Sequence, residues 1–329
     1  MTSLTSAAEL SKKALKLSPF LFAVFLLVVL IVLRFSPKKT PPPQIEKPII
    51  KAVAQVKNSF DLTNVTIPTT KVDSMPTYNQ NPSESLIPKA QEYAIKLNFE
   101  NPPERITDID LGEGLTYTKN GASLSVYKDS LTLAQSAEPT NLQQLNTQEL
   151  EIRASQFLID LGSSSDFSTA RISYVKATAH DLIESDDPTN ASYVKFYFSP
   201  KIATYPLLTS GYQNTILLDF KGNVLQLFLR NFAGATEGQE SYPILDADEA
   251  KSELVTGQSF LINLSGPDND FVQKEPILIK KIYLAYYLPS ESRGNIQPVW
   301  VFEGESTNEQ TLTKLTYIAT AIRKQFFKP

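Results

Sequence analysis

The stretch IYLAYYL at residues 282–288 has an apolar or aromatic side chain at every position. Because the side chains of a strand alternate between the two faces of a sheet, this stretch predicts a strand that is apolar on both faces. One face is expected to pack against a helix, and the other against a neighbouring module or a partner. The whole strand is predicted over residues 277–288.

On both sides of this strand the chain repeats one order of elements, a short amphipathic helix followed by a group of strands. The spacing of the apolar residues predicts helices over residues 84–97, 147–161 and 246–257. Asn120-Gly121, between two strands of the first group, is a strong signal for a two-residue hairpin turn. The repeat predicts an α+β fold of helix-plus-antiparallel-meander modules, with the helices against one face of the sheet.

The organisation predicted from these patterns is an N-terminal membrane anchor, a spacer and three modules. Prolines at 41–43 favour the extended polyproline II conformation, which suits a spacer. The predicted segments are a cytoplasmic tail (1–14), a transmembrane anchor (15–35), a Pro-rich stalk (36–48), a first α+β module with N-terminal strands (49–140), a second α+β module (141–240) and a third α+β module (241–329).

The anchor is predicted from an unbroken apolar run at residues 19–33, which reaches the length of a membrane span when it is extended to 15–35. The rival interpretations are a cleavable signal peptide and a buried core helix. No small-residue cleavage site follows the run, and the proline-rich stretch after it disfavours a core helix. We therefore expect a single-pass protein of the cell membrane that contacts the lipid bilayer through residues 15–35. Its N-terminus is expected to be cytoplasmic and its C-terminal domain extracytoplasmic.

Composition excludes several kinds of site. The chain has no cysteine, which excludes disulfides, Cys-ligated zinc and thiol catalysis, and its one histidine, His180, excludes a His-rich metal centre. The formal net charge of −4 argues against nucleic acid, since binding to phosphates requires a basic face. Neither a P-loop nor a GxGxxG motif occurs, and no cofactor is predicted.

A resemblance to a known family is found in the third module. The stretches YPILDADEA (242–250), LAYY (284–287) and QPVWVFEG (297–304) are similar to the extracytoplasmic domains of bacterial YycH/YycI-type regulators and of PepSY-like proteins. The resemblance extends over residues 242–304. It implies a single-pass bacterial protein whose external domain binds other envelope proteins, and YycH/YycI members regulate a cell-wall-sensing histidine kinase.

Two groups of residues are candidates for binding. Four aromatic residues of the third module form a candidate protein-contact surface, and the alternative for them is packing in a core: Tyr283, Tyr286, Tyr287 and Trp300. A group of acidic residues offers oxygen ligands of the kind that calcium prefers, and it comprises Asp108, Asp110 and Glu113. The spacing of these residues does not match an EF-hand. The alternative to a calcium site is that the acidic side chains simply face solvent, and no metal is predicted.

The function expected from the sequence is therefore non-catalytic. The chain is expected to be an extracytoplasmic regulatory or scaffolding protein that binds another membrane or envelope protein. Two alternatives stay open. One is a carboxylate-dependent hydrolase of cell-wall glycan, which would need two acids converging in a cleft. The other is a structural component of an envelope secretion or pilus assembly. The sequence does not give the oligomeric state.

Overall fold

The strand predicted over residues 277–288 is present, and it lies inside a large sheet. The computed structural model describes residues 41–50, 52, 59–68, 71–136, 145–162, 166–178, 182–185, 187–209, 214–265, 276–289, 295–308 and 311–329. The chain divides into two compact units, residues 1–42 and residues 43–329. All the elements named below belong to the second unit.

The described residues form mainly strands. The strands are β1 (Phe60–Asp61), β2 (Ser74–Gln80), β3 (Glu104–Asp108), β4 (Gly112–Lys119), β5 (Ala122–Tyr127), β6 (Ser130–Ala134), β7 (Phe167–Ala177), β8 (Leu182–Ser185), β9 (Tyr193–Ile202), β10 (Tyr205–Thr209), β11 (Asn214–Asp219), β12 (Val224–Arg230), β13 (Ala235–Pro243), β14 (Phe260–Ser265), β15 (Ile277–Leu288), β16 (Gln297–Asn308) and β17 (Thr311–Thr320). The helices are α1 (Ala90–Lys96), α2 (Thr147–Asp160) and α3 (Ala247–Val255), with short 3-10 turns at Ile87–Lys89 and Lys324–Phe326.

The sheet has two sections. The long section runs in the order β3-β4-β5-β6-β12-β11-β9-β7-β8, and all its pairings are antiparallel. The short section runs in the order β14-β17-β16-β15, also antiparallel, and β1 and β10 pair with β15 in parallel. The β9–β10 hairpin connects the two sections. A separate antiparallel pair joins β2 to β13.

Local sequence accounts for the turn between β4 and β5. Asn120 and Gly121 have φ values of +50° and +78°, so both lie in the left-handed region. A type I′ turn requires this conformation at both central residues, and Asn-Gly is the pair that adopts it most readily. The hairpin predicted from this dipeptide is confirmed.

Two of the helices begin with a capping box. In α2 the side chain of Asn146 accepts a hydrogen bond from the backbone of Glu149 (3.0 Å), whose carboxylate accepts one from the backbone of Asn146 (3.0 Å). Asp246 and Glu249 form the same reciprocal pair at the start of α3. Asn146 is therefore the N-cap of α2, and Asp246 is the N-cap of α3.

Two separate hydrophobic cores stabilise the sheet sections. The first core lies on one face of the short section, where β2, β13 and α3 contribute residues such as Met75, Tyr242 and Leu254. The second core lies on one face of the long section beneath α1 and α2, and it includes Leu158 and Phe196. Each of these two cores covers one face of its section, and smaller buried clusters that include Tyr287 and Leu217 lie on the opposite faces.

The fold class predicted from the sequence is wrong. Of the described residues, 53% are in strands and 15% in helices, and a large mixed sheet takes the place of repeated α+β helix-plus-meander modules behind a membrane anchor. The parallel pairings of β1 and β10 with β15 and the β9–β10 hairpin produce this sheet. Periodicity along a chain predicts strands, but it does not predict which distant strands pair.

The single-pass membrane localisation predicted from the sequence is contradicted by the described helices. None of them combines the length and the apolar character that crossing a bilayer requires. The longest described helix is α2, which has 14 residues. The segment predicted as an anchor, 15–35, and the predicted cytoplasmic tail, 1–14, lie outside the described residues.

The described half of the predicted stalk contacts the C-terminus. Ile45 forms a parallel β-bridge with Phe327, and the carboxylate of Glu46 pairs with Lys328 at 2.7 Å. The backbone carbonyl of Glu46 also accepts a hydrogen bond from the side chain of Gln297 (2.7 Å). Residues 45 and 46 therefore contact the C-terminal residues 327 and 328 and the first residue of β16.

Candidate functional site

A cleft of about 820 Å³ is lined by residues from both sections of the sheet. The long section contributes residues of β7, β9, β11 and β12, and the short section contributes residues of β14 to β17. The lining contains five Lys or Arg side chains and three Asp or Glu side chains, although the whole chain carries a net charge of −4. The cleft is therefore more basic than the protein that contains it.

Alternation along β9 explains why the long section presents polar groups to this cleft. Val194, Phe196 and Phe198 belong to the core under α1 and α2. Lys195 and Tyr197, between them, point to the opposite face because neighbouring residues of a strand alternate, and both line the cleft. One strand thus supplies both the apolar core and the polar wall.

A single carboxylate organises the polar wall. Glu184 of β8 accepts hydrogen bonds from Lys195 Nζ (2.6 Å), Ser173 Oγ (3.0 Å) and Arg171 Nη2 (3.3 Å), and a fourth from the hydroxyl of Tyr197. The register of β7 and β9 brings these donors together, because Arg171 lies opposite Tyr197 and Ser173 lies opposite Lys195. We call Arg171, Ser173, Glu184, Lys195 and Tyr197 the Glu184 cluster.

The aromatic ring of Tyr197 lies next to both cations of the cluster. The guanidinium carbon of Arg171 is 4.9 Å from the ring centroid, and Lys195 Nζ is 5.2 Å from it. Cations at this distance are attracted by the ring quadrupole. The ring and the carboxylate together hold both cationic side chains at the wall of the cleft.

Hydrogen bonding fixes the charges in the Glu184 cluster. Burial alone would raise the pKa of Glu184, but hydrogen bonds from Lys195 and Tyr197 outweigh it and lower that pKa below its usual value. Burial alone would lower the pKa of Lys195, but its hydrogen bond to Glu184 outweighs this effect and raises the pKa. Burial and the contact with Glu184 both raise the pKa of the Tyr197 hydroxyl. At neutral pH the cluster therefore contains a carboxylate, an ammonium group and a neutral phenol.

The wall from the short section is more nearly balanced in charge. The hydroxyl of Tyr283 donates a hydrogen bond to Glu303 Oε1 (2.7 Å), and Lys280 Nζ lies 3.6 Å from Glu305 Oε2. Burial raises the pKa of Tyr283 far above its usual value, and the charge of Glu303 adds to the shift. Tyr283 is therefore a neutral hydrogen-bond donor on this wall.

Of the four aromatic residues predicted as a contact surface, Tyr283 lines the cleft. Tyr286 is buried in the first core, where its hydroxyl donates to the carbonyl of Pro76 (3.2 Å). Tyr287 is buried in a small cluster on the other face of β15, and Trp300 is buried with its Nε1–H donating to the carbonyl of Leu245 (3.0 Å). The structure does not bring the four together on one surface. A role for them in protein contact stays a prediction.

The acidic residues considered for calcium lie at the β3–β4 hairpin. Asp108 Oδ1 accepts hydrogen bonds from the backbone N–H groups of Asp110 (2.8 Å) and Leu111 (2.9 Å), so that its carboxylate stabilises the turn. Glu113 lies in β4, on the other side of the turn. Among the residues that the structure describes, no group of three or more acidic or histidine side chains could hold a metal ion. His180 lies outside the described residues.

Sequence reasoning did not find the Glu184 cluster. The alternation in the stretch KFYF at residues 195–198 predicts a strand with a basic and an aromatic residue on one face. Nothing local to that stretch connects it to Arg171 or Glu184. These residues meet only through the pairing of β7 with β8 and β9.

Comparison with known proteins finds similar chains among the solved structures. No family model and no curated protein matches the sequence. The crystal structure of an uncharacterized protein from Eubacterium rectale ATCC 33656 is similar to this chain, with 18% sequence identity and a TM-score of 0.49. The match covers 76% of this chain and 84% of the other. It identifies no activity, ligand or partner, and the resemblance of residues 242–304 to YycH/YycI-type and PepSY-like domains stays a prediction.

Proposed function

We propose that this chain is a non-catalytic regulatory or scaffolding protein that receives a segment of another protein in the cleft between the sheet sections. The single observation that carries the proposal is the cleft itself. Its volume of about 820 Å³ lies within the range of ~300–1,000 Å³ that is typical of small-molecule and cofactor pockets, so it has room for a few side chains of an entering segment. The resemblance of residues 242–304 implies that the partner is an envelope protein.

The lining of the cleft favours recognition of a protein segment. It combines apolar and aromatic residues such as Phe228 and Phe232 with polar groups held in fixed positions by hydrogen bonds. Tyrosine and arginine, which are enriched where proteins contact one another, are both present at the wall as Tyr197 and Arg171. Extended segments suit such a surface because their side chains alternate between the two sides of the backbone.

Selection of peptides on the full chain tests the proposal. Dodecapeptides displayed at random and enriched on the protein are expected to bind in the cleft. Thr316→Trp fills the cleft wall and should weaken their binding at least about tenfold, since filling a hot-spot pocket removes more than 1.4 kcal/mol. The measurement is fluorescence anisotropy of labelled peptides.

The matched control is Thr118→Trp, which places the same side chain on an exposed position of β4 outside the cleft lining. It should leave the affinity unchanged within about twofold. Peptides that bind the Thr316→Trp and wild-type chains equally well, or a selection that enriches no peptide at all, would contradict the proposal.

A hydrolase acting on glycan is a second candidate because two carboxylates line the cleft on one strand. Glu303 and Glu305 are two residues apart on β16, a separation of about 7 Å between Cα atoms. In glycosidases the two carboxyl groups lie about 5–9.5 Å apart, a separation that two side chains at this Cα spacing can reach. Each carboxylate is already held by a neighbour, Tyr283 or Lys280, which fits a positioning role better. Release of reducing sugar from cell-wall glycan that disappears in Glu303→Gln would favour the hydrolase instead.

A further inference from the structure

The Glu184 cluster contains more positive charge than its own carboxylate neutralises. Arg171 and Lys195 are both cationic, and they share Glu184 as a common partner. The side chains of both cations are about three-quarters buried, so solvent screens the remaining positive charge less than it would at an exposed position. A second anion placed next to the cluster would balance this charge.

Hydrogen-bond donors remain available in the cluster. The Nε–H of Arg171 is buried and has no hydrogen-bond partner among the described residues, while the Nη2 atom of the same guanidinium binds Glu184. A buried donor without a partner is unfavourable, so this guanidinium has hydrogen-bonding capacity that the described residues leave unused. Both Arg171 and Lys195 line the cleft, so that an entering group can reach them.

The chemistry of the cluster suits a carboxylate. The cluster already binds one carboxylate, Glu184, through four donors, including the hydroxyl of Tyr197. The planar guanidinium of arginine matches the two oxygens of a carboxylate in geometry. Tyr197 adds an aromatic face, so the methylene groups of an acidic side chain have apolar surface to contact.

Resting on the proposed function, we infer that the Glu184 cluster selects a segment that carries an acidic side chain, and that Arg171 and Lys195 bind its carboxylate. Tyr197 contacts the same side chain. Glu184 is a positioning residue that holds Arg171, Lys195 and Tyr197 in place. The partner segment is therefore an acidic peptide, held by its carboxylate at the long section and by apolar contacts elsewhere in the cleft.

Two peptide libraries that differ in one position test the inference. Each contains undecapeptides with uncharged residues at random, and the central residue is Glu in one library and Gln in the other. The full chain is immobilised at pH 7, and the retained peptide is measured by mass spectrometry. The wild-type chain should retain the Glu library about tenfold better, which is the range of a charge-assisted hydrogen bond.

Substitutions in the Glu184 cluster test whether it causes the preference for the Glu library. Lys195→Met should reduce the preference for Glu to about twofold, and Tyr197→Phe should reduce it by a smaller factor. Lys176→Met is the matched control, because Lys176 is exposed on β7 and does not line the cleft. The control should keep the full preference. Retention of the Gln library by each variant shows that the variant is folded. If Lys195→Met retains neither library, the more conservative Tyr197→Phe is the variant that tests the inference.

The outcomes separate the inference from the proposed function. If both libraries are retained equally and Thr316→Trp loses both, the proposed function stands and the inference is overturned. Retention of neither library by the wild-type chain overturns both. A preference for Glu that survives in Lys195→Met and Tyr197→Phe overturns the placement at the cluster. Loss of the preference in millimolar inorganic phosphate, without loss of the Gln library, would show a site for small anions and would also overturn the inference.

Discussion

At the scale of single residues, Glu184 determines both the charge and the order of the polar wall. Its pKa is lowered from the usual 4.5, because hydrogen bonds from Lys195 and Tyr197 outweigh the effect of burial. A carboxylate whose pKa is lower in the folded state stabilises the fold above its unfolded pKa, and this contribution is lost as the pH falls through the folded pKa. The contribution of Lys195 to stability has the opposite pH dependence. Because the pKa of Lys195 is raised in the folded state, this contribution is fully present below the unfolded pKa of 10.5 and is lost as the pH rises through the folded pKa.

Glu184→Gln is therefore expected to destabilise the fold by about 1.5–3 kcal/mol at pH 7, since it removes hydrogen bonds to a charged acceptor. The difference from the wild-type chain should shrink as the pH falls from 4.5 through the lowered pKa of folded Glu184, because the unfolded chain binds the proton first and the folded chain then loses its carboxylate. Urea unfolding at pH 7 and at pH 3 measures both values. Glu104→Gln, at an exposed position of β3, should change stability at pH 7 by less than about 0.5 kcal/mol. A difference that is constant over the whole pH range would rule out this role of the charge.

At the scale of elements, the capping box of α2 determines where the helix begins. Asn146 and Glu149 satisfy each other's backbone N–H groups, and the first buried residue of the helix, Leu150, follows directly. Asn146→Ala should lower stability by about 1 kcal/mol, because a backbone donor at the helix start loses its acceptor. Gln148→Ala, at an exposed position in the same turn, should change it by less than about 0.5 kcal/mol. Equal effects of the two substitutions in thermal or urea unfolding would show that the cap does not stabilise the helix.

Elements with a local cause could be predicted from the sequence, and those that depend on distant pairing could not. The helix predicted over 147–161 is present at Thr147–Asp160, and the Asn120-Gly121 turn has the expected backbone conformation. The parallel pairing of β10 with β15 joins residues about 80 positions apart, and no local pattern encodes it. The Glu184 cluster was missed for the same reason. Its donors come from β7 and β9 and its acceptor from β8, so that a side-chain pattern within any one strand shows only part of it.

At the scale of the second unit, residues 43–329, two hydrophobic cores belong to different sections of one sheet. Leu158 of α2 is buried in the core of the long section, and Leu254 of α3 is buried in the core of the short section. Strand pairing between the sections, in the described residues, passes through β10. One section of a sheet connected in this way can unfold locally while the other stays folded, because the local stability of each section depends on the packing of its own core.

Substitution of these two leucines tests whether the sections open separately. Leu158→Ala and Leu254→Ala each remove a fully buried side chain, and each should destabilise its core by about 2–5 kcal/mol. Native-state hydrogen exchange of the full chain is the measurement. Leu158→Ala should speed exchange in β5, β6 and β11 by about thirtyfold or more, because 2 kcal/mol corresponds to that factor, with β16 and β17 little changed. Leu254→Ala should give the converse pattern. If both variants speed exchange equally in all these strands, the two cores unfold as one cooperative unit, and the cleft between the sections has walls that cannot move independently when a segment enters.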